Sequence, residues 1–148
     1  MDAFDADVVI YAASADHPFG WRVRALLPGG PGDPPSGVGS VLLLPEVLRH
    51  PLRQQRTDEL TALAALSGRL DLRPPDRATA ELAAALGAAH RLRGSDAVHL
   101  ATAVMAGADR FVTNNRRDFS TDIDEVTITY PDVLPEPGAV PPPSKSIG

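Results

Sequence analysis

Four separated segments carry carboxylates that could take part in chemistry. They are Asp5 in FDADVV, Glu46 in LLLPEV, Asp96 in RGSDAV and Asp118 in NNRRDF. The chain has no cysteine, and its four histidines are scattered along the sequence. Carboxylate oxygens are the ligands that hard divalent cations prefer, and clustered acids repel one another unless a cation lies between them. A fold that brought these acids together would therefore create a divalent-metal site.

Each acid also has a purely structural explanation. Asp5 is explained equally well as a solvated acid at the start of a strand. Asp96 would lie in the first turn of a helix capped by Ser95, where the helix dipole favours an acid. Asp118 follows two asparagines, a composition typical of a turn.

The position of Glu46 depends on where its helix begins. If the helix begins at Pro45, the proline occupies a favourable first position and Glu46 complements the helix dipole. If the helix begins at Ser40, Pro45 lies inside it and a kink is expected. The sequence leaves both possibilities open.

The hydrophobic pattern predicts strands alternating with helices, which is typical of an α/β domain with a mainly parallel sheet. Such sheets bind ligands at the carboxyl ends of their strands. The segment 28–39 is predicted as a loop because it is rich in proline and glycine. Strands are predicted over 7–12, near Leu70, over 110–113 and over 126–130, and helices over 18–27, 40–49, 54–67, 76–91, with Asp76 as its N-cap, and 94–107.

Composition predicts one domain, residues 1–132, followed by a disordered tail, residues 133–148, that contains five prolines. No uninterrupted apolar stretch reaches about 18 residues, so we expect no membrane span. The beginning of the sequence has no basic segment of the signal-peptide type, and the chain lacks cysteine, so a cytoplasmic location is expected. The net charge of −5 argues against nucleic-acid binding through a general positive field, although carboxylates of a metal site contribute to that charge.

Taken in order, the four acidic segments resemble the successive motifs of PIN domains. The matching segments are FDADVVIYA, LLLPEVL, LRGSDAVHLATA and GADRFVTNNRRDF, and they span about residues 3 to 130. The length of the chain and the LRGSDAVHLATA segment resemble the VapC-type toxins of toxin–antitoxin pairs. The resemblance implies a PIN-like fold, a mainly parallel central sheet flanked by helices, and a metal-dependent ribonuclease.

The resemblance also implies roles for individual residues. Asp5, Glu46 and Asp96 match the acids that bind Mg²⁺ or Mn²⁺ and serve catalysis. The fourth acid is less clear, because Asn115 stands where many members have an aspartate and Asp118 matches a variant position. Thr113 and Asn115 would orient the metal-binding groups. Asp7 would lie behind the metal ligands or face outward, and His99 would be packed or hydrogen-bonded and would not bind metal.

Phosphate contacts with the RNA substrate are assigned to Arg93, Arg116 and Arg117. By resemblance, the partners are an antitoxin protein and a second copy of the chain in a homodimer. The RNA target itself is not encoded in any recognisable motif.

Two other functions are compatible with the same residues. The Asp5-x-Asp7 pattern also occurs in haloacid-dehalogenase-like phosphatases, where the first aspartate is a nucleophile. That mechanism requires a basic partner, usually lysine, and the single lysine of this chain, Lys145, is in the tail. Alternatively, the chain is a PIN-fold binding protein that has lost catalysis, which Asn115 would explain.

Overall fold

A five-stranded parallel sheet forms the centre of the molecule. The computed structural model describes residues 1–138. In chain order the strands are β1 (Asp2–Phe4), β2 (Gly37–Ser40), β3 (Leu70–Arg73), β4 (Arg110–Val112) and β5 (Thr127–Thr129). They lie in the order β3-β2-β1-β4-β5, and every pair is parallel. The predicted α/β class with a parallel sheet is confirmed.

Helices cover both faces of this sheet. They are α1 (Ala6–Ala13), α2 (Gly20–Arg24), α3 (Leu43–Arg53), α4 (Thr57–Ser67), α5 (Arg77–His90) and α6 (Gly94–Met105). One hydrophobic cluster joins α1, α3 and α4 to the sheet through residues such as Phe4, Val9 and Leu63. The other joins α5 and α6 to the opposite face through Leu86, Leu100 and Phe111.

The predicted strand over residues 7–12 is wrong, because this segment forms helix α1. The strand that precedes it, β1, has only three residues and ends at Phe4. Asp5 is the N-cap of α1: its backbone is extended, and its Oδ1 accepts a hydrogen bond from the Ala6 N–H at 2.8 Å. Asp5 therefore joins the end of a strand to the start of a helix.

Residues 37–40 form strand β2, so the loop predicted over 28–39 is too long. Gly37 and Gly39 disfavour a strand by propensity. However, a Cβ at Gly37 would lie 2.6 Å from the Asp2 carbonyl oxygen and 2.7 Å from the Phe4 ring. The glycine lets β2 approach β1 closely beneath the Phe4 ring.

The helix boundaries resolve two further expectations. Helix α3 begins at Leu43, so Pro45 is its third residue, in the first turn, where no N–H is needed for the helical ladder. Helix α6 has Arg93 as its N-cap with no side-chain cap, so the predicted Ser95 cap is wrong. The Asp76 cap of α5 is confirmed, since its carboxylate accepts from the Thr79 N–H at 2.8 Å.

The packed part of the chain continues beyond the boundary predicted at Asp132. A 3₁₀ turn covers Pro131–Val133, and Leu134 is buried in the core. The Arg22 guanidinium donates to the carbonyl oxygens of Asp132 and Leu134 and pairs with Glu136. The remainder of the predicted tail, residues 139–148, lies outside the described residues. Among the described helices, none has the length and hydrophobicity required to cross a membrane.

Candidate metal site at the carboxyl edge of the sheet

Two of the predicted acids, Asp5 and Glu46, come together where the parallel strands end, and Asp96 lies nearby. Asp5 directly follows β1, and Thr113 directly follows β4, the neighbouring strand. Glu46 lies in the first turn of α3, which follows β2. Helix α6 contributes Asp96 and His99 from its first two turns. The strand order β2-β1-β4 therefore explains why residues far apart in sequence converge.

Asp5 is the most enclosed acid of the site, with 5% of its surface exposed. Its Oδ2 accepts a hydrogen bond from the Thr113 hydroxyl at 2.8 Å, and its Oδ1 is held by the Ala6 N–H. Burial raises the pKa of Asp5, and the nearby Glu46 charge adds to this, although His99, Thr113 and Ala6 act in the opposite direction. The carboxylate is thus fixed in orientation and is costly to hold as an isolated anion.

Glu46 is held by His99. The imidazole Nε2 lies 3.1 Å from both carboxylate oxygens of Glu46, and the His99 ring is buried. Burial lowers the pKa of His99, but the hydrogen bond to Glu46 and the charges of Glu46, Asp5 and Asp96 outweigh it and raise the pKa. Since a carboxylate only accepts, Nε2 carries the proton of this bond.

Three residues offer ligand atoms that all lie within 4.8 Å of one another: Asp5, Glu46 and His99. The sequence predicted Asp5, Glu46 and Asp96 as the set. Asp96 lies near this cluster without belonging to it at that distance. Burial raises the pKa of Asp96, and the charges of Asp5, Asp118 and Glu46 raise it further. Asp96, in the first turn of α6, is therefore close enough to the other acids of the site to be affected by their negative charges.

Asp7 is a further acid of the site. Its Oδ2 accepts from the Asn114 N–H at 3.0 Å, and its Oδ1 accepts from the Val8 N–H at 2.7 Å. Burial raises its pKa to about 7, with further contributions from the charges of Asp5 and Asp96. Through these two hydrogen bonds, Asp7 connects the start of α1 to the segment after β4.

The segment after β4 forms a chain of hydrogen bonds that leads away from Asp5. The Asn115 N–H donates to the Thr113 hydroxyl at 3.1 Å, and the Asn115 side-chain amide donates to Asp118 at 3.0 Å. That bond, together with Arg117 and Arg93, lowers the pKa of Asp118. Asp118 is therefore an ionised, stabilised acid beside Asp96, while Asn115 binds Asp118 directly.

The arginines predicted to contact phosphate have different surroundings. Arg116 pairs with Asp132 at 2.9 Å, and its guanidinium lies 4.3 Å from the centre of the Tyr130 ring. Arg117 is highly exposed and lies 3.4 Å from Asp118. Arg93 is exposed at the N-terminus of α6, close enough to Asp118 to influence its pKa. Arg93 and Arg117 are therefore placed beside the acidic edge, and Arg116 is engaged elsewhere.

The donor set fits a hard divalent cation. Its acids are the buried Asp5, the half-buried Asp7 and Asp96, and the more exposed Glu46, and the pKa values of Asp5, Asp7 and Asp96 are raised by burial and by neighbouring carboxylates. A bound cation would relieve both costs, because it replaces lost hydration and offsets like charges. Asp5 and Glu46 could hold it directly, with Asp96 completing the acidic side.

Sequence reasoning gives little weight to His99 and Asp7. The signal for His99 is its position three residues after Asp96, which places it on a neighbouring part of the same helix face. The expectation that His99 is packed or hydrogen-bonded agrees with its bond to Glu46. The signal for Asp7 is its spacing from Asp5, but the mistaken strand would have placed its side chain differently.

A parallel α/β sheet with an acidic pocket at its carboxyl edge is the arrangement that the resemblance to PIN domains implies. A family model described as the PIN domain matches residues 3–122. The chain belongs to the PIN domain family. The resemblance inferred from the four motifs is thereby confirmed, and it removes the support for a haloacid-dehalogenase-like phosphatase.

Solved structures of similar fold come from toxin–antitoxin systems. A chain of the toxin–antitoxin complex from Klebsiella pneumoniae is 24% identical, with a TM-score of 0.67, covering 88% of this chain and 98% of that chain. A chain of VapBC2 from Rickettsia felis, bound to a DNA fragment from its promoter, is 15% identical, with a TM-score of 0.66, covering 87% and 97% respectively. A search of the curated proteins gives no match. At these identities the likeness is one of fold.

Proposed function

We propose that this protein is a Mg²⁺- or Mn²⁺-dependent ribonuclease and the toxin of a VapBC-type toxin–antitoxin system. The observation that carries the proposal is the meeting of Asp5, Glu46 and His99 at the carboxyl edge of a PIN domain, with Asp96 beside them. The similar structures from toxin–antitoxin complexes support the toxin assignment.

In this proposal Asp5, Glu46 and Asp96 hold the cation, with Asp118 as a further acid on its outer side. When bound, such an ion acidifies a water molecule and offsets the negative charge that develops on a phosphodiester under attack. Thr113 fixes the Asp5 carboxylate, and His99 fixes that of Glu46. The Asn115 amide restrains Asp118. Fixed ligands matter because displacing a catalytic group by about 1 Å can cost a hundredfold in rate.

The partners proposed for this toxin are an RNA substrate, a cognate antitoxin and a second copy of the chain. We propose that it acts in the cytoplasm, where a toxin would meet cellular RNA. The antitoxin proposal rests on the two structural neighbours. Co-expression with the product of an adjacent small reading frame should restore growth to cells that express the toxin.

The sharpest test of the nuclease is the Asp5→Asn variant. It keeps the size of the side chain and an oxygen acceptor for Thr113, but it removes the negative charge at the centre of the site. Cleavage of total RNA in the presence of Mg²⁺ or Mn²⁺ should fall by about a hundred- to a thousandfold, measured by gel electrophoresis of timed samples. Asp122→Asn, at an exposed acid, is the matched control and should cleave like the natural protein.

A catalytically inactive PIN-fold binding protein is the second candidate, and Asn115 favours it. Here an amide that binds Asp118 occupies a position where the family pattern often has an acid. Calorimetric titration with Mn²⁺ distinguishes the two. Binding that requires Asp5, together with RNA cleavage, supports the nuclease, whereas absence of Mn²⁺ binding supports the inactive form.

A further inference from the structure

Helix α3 carries a row of basic side chains that begins at the proposed metal site. Glu46 is followed on the same helix by Arg49, His50 and Arg53, at positions i+3, i+4 and i+7. Residues at this spacing lie on one face of an α-helix. With a rise of about 1.5 Å per residue, the row extends about 10 Å along the helix from Glu46.

This basic row is not part of the core. Arg49, His50 and Arg53 are all exposed or half-exposed. The buried residues of α3 are Leu43, Val47 and Pro51, and these pack on another side of the helix. The three cationic or titratable side chains are therefore available to a partner.

The guanidinium charges of Arg49 and Arg53 are also not matched by carboxylates within residues 1–138. Seven of the other eleven arginines of the described chain form ion pairs, among them Arg22 with Glu136, Arg77 with Glu81 and Arg110 with Asp2. Arg49, His50 and Arg53 form none there. In a protein of net charge −5, an unmatched basic row directly beside an acidic pocket is a strong local departure from the overall charge.

Stabilisation of the helix dipole accounts for part of this pattern. His50 and Arg53 lie in the last turn of α3, where positive charge is favourable. Arg49 lies before that turn and gains little from the dipole, because the effect falls off within one turn. The dipole also does not explain why all three share a face with Glu46.

We propose that this face of α3 binds the sugar–phosphate backbone of the RNA substrate and guides it to the site at Glu46. The inference rests on the proposed ribonuclease function and names the surface that function uses. Arginine suits this role, since its planar guanidinium forms paired hydrogen bonds with phosphate oxygens. Contacts of this kind are insensitive to sequence, so the face contributes affinity and register but not base selection.

The test separates RNA binding from cleavage. The variant Arg49→Gln/Arg53→Gln is placed in the Asp5→Asn background, and binding of a fluorescein-labelled single-stranded RNA of mixed sequence is followed by anisotropy at several salt concentrations. Each arginine that no longer neutralises a phosphate lowers the salt slope by about 0.7 for a single strand. Without both arginines the salt slope should be smaller by about 1.4. The affinity of the double variant, relative to that of its parent, should therefore be about 25-fold lower at 0.1 M salt than at 1 M salt. In the active protein the double variant should raise KM and leave kcat nearly unchanged.

The matched control is Arg77→Gln, which removes an exposed arginine from α5 that already pairs with Glu81. It should leave RNA affinity and the salt slope unchanged. Thermal unfolding of the double variant measures separately how much Arg49 and Arg53 stabilise the fold through the dipole of α3.

An unchanged salt slope in the double variant would overturn the proposal. So would unchanged RNA affinity combined with failure to bind the antitoxin, which would assign the face to the protein partner. The ribonuclease proposal fails independently, if Asp5→Asn cleaves RNA as the natural protein does.

Discussion

At the scale of single residues, His99 determines how Glu46 is presented to the site. The imidazole is buried, its Nε2 lies 3.1 Å from both carboxylate oxygens of Glu46, and its Nδ1 has no hydrogen-bond partner within the described chain. An unpartnered buried nitrogen costs stability, so the histidine is not explained by packing alone. We interpret it as a positioning residue for Glu46.

Replacing His99 tests this interpretation. His99→Leu removes the donor and should weaken Mn²⁺ binding by about 10- to 100-fold, as is usual when the hydrogen-bond partner of a metal ligand is removed. His99→Gln retains an N–H donor and should recover part of that affinity. Calorimetric titration with Mn²⁺ gives both values. Thermal unfolding of the metal-free proteins is the control, because a packing role would lower stability without a selective effect on Mn²⁺.

A different result would reassign the residue. If Mn²⁺ bound to protein labelled with ¹⁵N-histidine showed nitrogen hyperfine coupling in its electron paramagnetic resonance spectrum, His99 would be a ligand of the metal. Its place within 4.8 Å of the Asp5 and Glu46 ligand atoms makes this measurement decisive.

At the scale of elements, the approach of β2 to β1 depends on Gly37. An added Cβ would lie 2.6 Å from the Asp2 carbonyl oxygen and 2.7 Å from the Phe4 ring, and the backbone oxygen cannot move aside without shifting β1. Gly37→Ala should therefore lower the free energy of unfolding by about 1–3 kcal/mol. Chemical denaturation followed by circular dichroism measures the change.

The matched control is Gly30→Ala, in the loop before β2. A Cβ at Gly30 would have nothing within 4 Å, so this variant should be neutral or slightly stabilising. Equal stability of the two variants would show that β1 and β2 are not tightly packed at Gly37.

The sequence does not predict the secondary structure of two elements beside this contact, helix α1 and strand β2. A short apolar run is ambiguous between a buried strand and a buried helix, and the strand predicted for DVVIYA is the wrong choice. Its helical state depends on the Asp5 cap and on burial of Val8, Val9 and Ala12, which only the assembled fold reveals. Strand β2 escapes prediction because its glycines are required by side chains of other elements, Gly37 by the Phe4 ring of β1 and Gly39 by Leu43 of α3.

The longer helices are predictable for the opposite reason. Helix α5 has a local signal, the Asp76 cap followed by a long run of alanine and leucine, and its bounds agree within a residue of prediction. The sequence predicts the acids of the site from the order of the motifs. It does not predict the hydrogen bond between His99 and Glu46, because that bond depends on how α6 packs beside β2. Such an interaction between residues far apart in sequence has no local signal.

At the scale of the whole molecule, the acidic site adds side-chain hydrogen bonds between elements that the sheet ladder and core packing already hold together. Asp5 joins β1 and α1 to β4 through Thr113, Asp7 joins α1 to the segment after β4, and His99 joins α6 to α3 through Glu46. A cation held by Asp5 and Glu46 would link β1 to α3, and it would do so only in the folded state, because these two acids come together only there. Metal binding should therefore stabilise the entire fold and not only the site.

This linkage predicts a metal-dependent melting temperature. At a Mn²⁺ concentration about 100 times the dissociation constant, the free energy of unfolding should rise by about 2.7 kcal/mol, and the Tm should rise by several degrees. Asp5→Asn removes the central charge, so its Tm should not respond, even if relief of carboxylate repulsion raises its metal-free value. Because the protein carries a net charge of −5, general screening also stabilises it, and NaCl at equal ionic strength provides that baseline. A rise of equal size with NaCl, or in Asp5→Asn, would mean that Mn²⁺ acts on the overall charge and that the acids of the carboxyl edge hold no specific ion.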